Sequence, residues 1–233
     1  MPAYTETLEV GNSAMGIYLA LPDGDGPFPG VSVAMHAGGV DEFTHVMCNR
    51  LAEAGYVAAA PDLYHRLGIN ETRSPRVLKD LEMIADVEAT VAFFREHEAV
   101  NSDALGVTGF CMGGRVAYLM AAAVPEFKAS VAYYGGNTKT ALGENIPSPF
   151  ERTADISCPL MFHFGGEDQN PSPEDKESLD AEMTKHNKDH EFFSYPGAGH
   201  AFMDFTGPRH NPEGDKASWP RTIGFFDTHL KGE

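Results

Sequence analysis

Leu105-Gly106-Val107-Thr108-Gly109-Phe110-Cys111-Met112-Gly113-Gly114 is the stretch on which the reading of this chain turns. Leu105 to Gly109 reads as a buried strand, and the small, apolar residues 112–124 read as a helix. Between them Gly109 and Gly113 flank Cys111 in a G-x-nucleophile-x-G turn, with cysteine at the centre. So sharp a turn strains its central residue, and a side chain at either flank would strike the neighbouring strand or helix. The sulfur then stands at a helix N-terminus, where the dipole and free N–H groups favour thiolate over thiol. Free cysteine is also a common packing residue, so a catalytic reading needs partners elsewhere in the chain.

Outward from this turn, strands and helices alternate. Thr5 to Val10 and Gly16 to Leu21 read as short strands, and the run Pro22 to Pro27 breaks the chain after them. Val31 to Met35, Tyr56 to Ala60, Ser130 to Tyr134, Leu160 to Phe164 and Glu191 to Tyr195 read as further strands. Helices are expected over residues 42–54, 76–97, 173–187 and 215–230. The second is read from the spacing of Val77, Leu81, Ile84, Ala85 and Val91. Such alternation predicts an α/β fold, a mostly parallel sheet covered on both faces. It also puts the active site at the carboxyl ends of strands.

Two strand ends offer partners for Cys111. Pro196-Gly197-Ala198-Gly199-His200 follows the last strand and supplies a base. Gly165-Gly166-Glu167-Asp168 follows the strand before it and supplies a carboxylate to orient that base. Glu167 competes with Asp168; Asp168 is preferred because the turn should aim the second carboxylate back at the sheet. The chain order nucleophile, acid, base is that of the α/β-hydrolases.

At this point the chain resembles the dienelactone hydrolase (carboxymethylenebutenolidase) family. The matching stretches are Gly109 to Gly114, Gly165 to Asp168 and Tyr195 to Phe202. Ala60-Pro61-Asp62-Leu63-Tyr64, Tyr133-Tyr134-Gly135 and a closing helix with Trp219, Arg221 and Phe225-Phe226 also fit. The resemblance implies an α/β-hydrolase fold and a Cys111–His200–Asp168 triad. It also implies an oxyanion hole from the backbone N–H groups of Ala37 and Met112, and a substrate pocket touched by His36, Tyr134, Phe202 and Asp204. His36-Ala37-Gly38-Gly39 is also similar to the oxyanion loop of esterases. Met112 and Met203 are expected to give the pocket an apolar lining.

Two positions depart from the resembling family. Its dienelactone-cleaving members carry a glutamate beside the nucleophile where this chain has His36. An imidazole there could charge and favour thiolate, or it could simply hydrogen-bond its own loop. Four residues after the catalytic histidine those members carry an arginine that holds the substrate carboxylate; here the position is Asp204. A second arginine of that subsite corresponds to Arg73 or Arg76. A carboxylate at 204 would repel an acidic lactone, so a neutral ester or lactone is expected as substrate.

The composition agrees with an enzyme of small molecules. The chain has 233 residues, 42% of them hydrophobic, which suits a single domain over 1–233. A formal net charge of −17 repels nucleic acid and anionic membrane surfaces. Cys48, Cys111 and Cys158 make no disulfide framework. No signal peptide or membrane span is read, which points to the cytoplasm. His186 and His190, four apart, are separated by the end of a helix and are not expected to bind metal. No cofactor is expected. The chain is expected to act as a monomer or homodimer on a small ester or lactone. The rival reading is a binding or sensing protein on the same scaffold.

Overall fold

Side chains along the central strands feed two apolar layers in turn. In β3 (Phe28–Ala34), Val31 and Val33 enter one core cluster and Ala34 the other, the period-two alternation of a strand buried on both faces. The computed structural model describes residues 1–68 and 70–232. The other strands are β1 (Ala3–Val10), β2 (Ser13–Ala20), β4 (Val57–Pro61), β5 (Val100–Phe110), β6 (Phe127–Tyr133), β7 (Leu160–Gly165) and β8 (His190–Tyr195). They form one sheet in the order β1-β2-β4-β3-β5-β6-β7-β8. β2 runs antiparallel to both β1 and β4, and the remaining pairs are parallel.

Helices α1 (Glu42–Glu53) and α5 (Pro212–Phe226) pack on one face through Phe43, Met47, Leu51 and Phe226. Helices α2 (Asp80–Glu96), α3 (Met112–Ala123) and α4 (Pro173–Lys185) cover the other through Val87, Phe94, Val116 and Leu179. Asp41 caps α1 by accepting the Thr44 N–H, and Ser172 with Asp175 forms a capping box at α4. Cys48 and Cys158 are packing residues, one in each layer. No helix among the described residues is long and apolar enough to cross a membrane.

This strand order decides where chemistry can happen. From β3 the chain moves outward to β4, then returns to place β5 on the other side of β3. The loops after β3 and β5 therefore diverge, opening a crevice at the switch point. Ala34 is in register with Gly109, so the loop beginning at Met35 and the turn at Cys111 leave the sheet side by side.

The α2 region corrects the sequence reading. The chain makes a 3-10 turn over Pro75–Val77, runs extended at Leu78 and begins the helix at Asp80. Val77 and Leu81 are 43% and 61% exposed. The inner face is instead Asp80, Met83, Asp86, Val87, Thr90, Val91 and Phe94. Two of those are carboxylates: Asp80 pairs with Arg115, and Asp86 with Arg66 and His65. The expected closing helix stops at Phe226 and continues as a wider turn over Asp227–Lys231. A 3-10 segment at Phe150–Asp155 has no counterpart in the sequence reading.

Candidate active site

Cys111 has φ 57° and ψ −118°, a backbone conformation that costs energy in a non-glycine residue and marks a constrained functional turn. The flanking glycines make it possible. A Cβ on Gly109 would lie 2.1 Å from the Gly113 carbonyl oxygen, and one on Gly113 would lie 2.0 Å from that of Ala34. The Cys111 N–H is spent on the Tyr133 carbonyl of β6. The next N–H, that of Met112 in the first turn of α3, favours the charged form of the Cys111 sulfur, and so does the N–H of Ala37 across the crevice.

His200 Nε2 lies 3.0 Å from Cys111 Sγ, and its Nδ1 lies 2.9 Å from Asp168 Oδ2. Asp168 is 2% exposed, and its other oxygen accepts the Asn170 N–H. The neighbouring Glu167 is exposed. Burial by itself raises the Cys111 thiol pKa, but the hydrogen bond and charge of His200, then the Met112 and Ala37 N–H groups, bring it below its ordinary value. Burial likewise lowers His200, and its hydrogen bonds to Asp168 and Cys111 overcome this, raising it to about 9. The arrangement favours a thiolate beside an imidazolium and can move a proton between them.

A cavity of about 280 Å³ opens over Cys111 and His200. Its walls come from Pro75, Arg76, Met112, Asn137, Leu142 and Asn170, among others. Arg115 also borders it, nearly buried, donating to both oxygens of Asp80 and to the carbonyls of Asn137 and Thr140. The sequence reading missed Asn137 and Leu142, because the wall over 136–142 is coil with no periodic signal, and it also missed Arg115 on α3 and Asn170 in the loop after β7. A larger groove of about 500 Å³ lies between α4 and β8 and touches neither Cys111 nor His200.

Of the two arginines left open by the sequence, Arg76 lines the cavity, while Arg73 leans toward Asp62 at 3.5 Å. None of the other side chains expected at the pocket, Met112 apart, is among those that line this cavity. Phe202 is fully buried and packs against Tyr133, Tyr134 and Tyr195, because the chain turns at Ala201 with φ 61°. Tyr134 is buried and sets its ring edge-on behind His200 at 5.3 Å. Met203 is buried and accepts from the Ser218 hydroxyl. Asp204 turns back on its own loop, accepting the N–H and hydroxyl of Thr206. The His36 ring sits 2.7 Å from Asp41, tied to its own loop, and is not among the groups acting on the sulfur.

Comparison with known proteins agrees with this fold. The Dienelactone hydrolase family model matches residues 15–230. A Yersinia pestis protein named "Putative carboxymethylenebutenolidase" is 35% identical over 226 residues, covering 91% of this chain and 83% of that one. A Bradyrhizobium protein named "Probable 2-oxo-3-(5-oxofuran-2-ylidene)propanoate lactonase" is 31% identical over 224 residues, covering 93% and 90%. The crystal structure of a Klebsiella pneumoniae protein titled "Putative Dienelactone Hydrolase" superposes with a TM-score of 0.88 at 29% identity, over 97% of this chain and 99% of that one. With an eight-stranded α/β sheet, a cysteine at the nucleophile turn and a match over nearly its whole length, this chain belongs to the dienelactone hydrolase family of α/β-hydrolases.

Proposed function

We propose that this chain hydrolyses a carboxylic ester or lactone through an acyl-enzyme on Cys111. The observation that carries the reading is the meeting of His200 Nε2 and Cys111 Sγ at 3.0 Å, where the Met112 and Ala37 N–H groups also favour the thiolate. The thiolate attacks the carbonyl carbon; a C–S bond forms and the carbonyl electron pair moves to oxygen. That oxygen is held by the N–H groups of Ala37 and Met112, each such donor worth roughly 3 kcal/mol in the transition state. Collapse of the adduct expels the alkoxide, which takes the proton from His200 Nε2. Asp168 keeps the imidazole oriented and supports its charge. Water then gives a proton to His200 and its oxygen to the acyl carbon, the C–S bond breaks, and the thiolate–imidazolium pair is restored.

The expected preference for neutral substrates rested on a carboxylate at 204 facing the pocket, and Asp204 turns back to Thr206 instead. Arg76 stands at the cavity, and among the described residues it has no carboxylate partner. The reading therefore favours esters and lactones that carry an acidic group, of the kind named for the Bradyrhizobium relative. The test is a panel of lactones, aryl esters and thioesters run on wild type and Cys111→Ala. Turnover by wild type alone is expected; equal turnover by Cys111→Ala overturns the reading.

A further inference from the structure

Of the two backbone N–H groups that lower the Cys111 thiol, one belongs to the peptide joining His36 to Ala37, and the loop around that peptide is tied down at every turn. The carbonyl of that same peptide, His36 C=O, accepts from the Gly39 N–H at 3.0 Å. The next carbonyl, that of Ala37, accepts from the Tyr64 hydroxyl at 3.1 Å. The carbonyl of Gly39 accepts from the Thr44 hydroxyl at 3.0 Å. The His36 ring meets Asp41 Oδ2 at 2.7 Å, while Asp41 Oδ1 caps α1. The loop is thus lashed to the start of α1 on one side and to the segment after β4 on the other.

The glycines of the loop fit the same purpose. A Cβ on Gly38 would lie 2.7 Å from His36 Nε2 and 2.8 Å from Asp41 Oδ2, so the ring and carboxylate fill the space a side chain would need. None of His36, Asp41 and Tyr64 lines the cavity over Cys111.

We infer that Tyr64 and the His36–Asp41 pair are positioning residues that hold the Ala37 N–H in place as an oxyanion donor. This rests on the hydrolase reading above. An oxyanion donor is effective because it is fixed before charge develops and needs no reorganisation during the reaction. A peptide whose carbonyl accepts a hydrogen bond also presents a more polarised N–H, as the Gly39 bond provides here. Through the same N–H the loop supports the Cys111 thiolate in the resting enzyme. Of the titratable groups around that sulfur, His200 is bonded to it, and Tyr64 and Tyr134 stand nearby as buried phenols. Burial pushes Tyr64 up to about 12, so its replacement by phenylalanine removes a hydroxyl and no charge.

The experiment compares wild type, Tyr64→Phe and His36→Ala by steady-state hydrolysis of p-nitrophenyl acetate and by the ultraviolet thiolate absorbance of Cys111 as a function of pH. Cys48 and Cys158 are buried and their thiols are pushed far up, so the first thiolate to appear as pH rises reports Cys111. The expected result is a fall in kcat of about tenfold or more in each variant, with KM within about twofold, because a donor is misaligned and no substrate contact is lost. The thiolate midpoint should rise in both. An unchanged kcat or an unchanged thiolate midpoint in Tyr64→Phe overturns the inference while leaving the hydrolase reading intact. A wild type that turns over no ester overturns the hydrolase reading, and the oxyanion role with it.

Discussion

Cys111 and His200, 89 positions apart in the chain, meet with 3.0 Å between Sγ and Nε2. The sheet makes the meeting possible, because β5 and β8 end on the same rim and the loop after β8 folds back over β6 and β7. Tyr134, at the end of β6, backs the imidazole, and its N–H is anchored on the His163 carbonyl of β7.

The pairing sets the pH dependence. The Cys111 thiol lies below its ordinary value and His200 is raised to about 9, so the reactive thiolate–imidazolium pair exists between the two. For an alkyl ester, whose leaving alkoxide needs the His200 proton, kcat/KM should rise as Cys111 ionises, stay level, and fall again near pH 9. Asp168→Asn removes a group that raises His200, so the falling limb should move to lower pH. A pH–rate profile of both proteins checks this, and a limb that stays in place would count against the assigned role of Asp168.

Charge selectivity should follow Arg76. Arg76→Gln is expected to lower kcat/KM for an acidic lactone by roughly threefold to tenfold relative to its neutral analogue, an effect that shrinks with added salt. Asp204→Asn should leave the ratio near the wild-type value, since that carboxylate is engaged by Thr206. Competition assays with matched acid and methyl-ester substrates would show it. A ratio that follows Asp204 and ignores Arg76 would restore the preference expected from sequence.

Gly113→Ala tests the turn itself. The added methyl would stand 2.0 Å from the Ala34 carbonyl oxygen, which only movement of α3 or β3 can relieve. A loss of about 3 kcal/mol or more is expected, in the range of strained core substitutions. Urea denaturation followed by circular dichroism measures it, and a loss under about 1 kcal/mol would mean the turn can shift freely.

The cavity wall depends on a buried ion pair. Arg115 and Asp80 are 3% and 2% exposed and pair at 2.6 Å. Asp80→Asn leaves the Arg115 charge uncompensated and should cost about 3–5 kcal/mol, whereas Asp80→Leu combined with Arg115→Met should recover most of that. The double variant should still show a raised KM, because Arg115 also holds the Asn137 and Thr140 carbonyls of the wall. Stability and KM measured on all three proteins separate the two roles.

What the sequence made legible were the features carried by local rules. A glycine-flanked cysteine between strand and helix, and two glycine-rich strand ends bearing Asp168 and His200, are each a short-range signature, and parallel topology assembles them without further information. What it hid were residues whose place depends on distant partners. Asp80 and Asp86 face inward on α2 because Arg115 and Arg66 neutralise them and His65 adds a hydrogen-bond contact to Asp86, and an apolar periodicity has no means of seeing that. Phe202 stands two residues after His200 yet turns into the core. His36 stands beside the oxyanion loop, but its partner Asp41 draws the ring toward the α1 cap.

The claim at the centre of this account is a covalent acyl group on Cys111. The measurement that meets it most directly is acid quenching of the enzyme during turnover of p-nitrophenyl acetate, followed by peptide mass mapping. The account predicts an acetyl group on the peptide containing Cys111, appearing within the first turnover and absent from Cys111→Ala. Steady turnover by Cys111→Ala at the wild-type rate, with the acetyl group on another residue or on none, would contradict it.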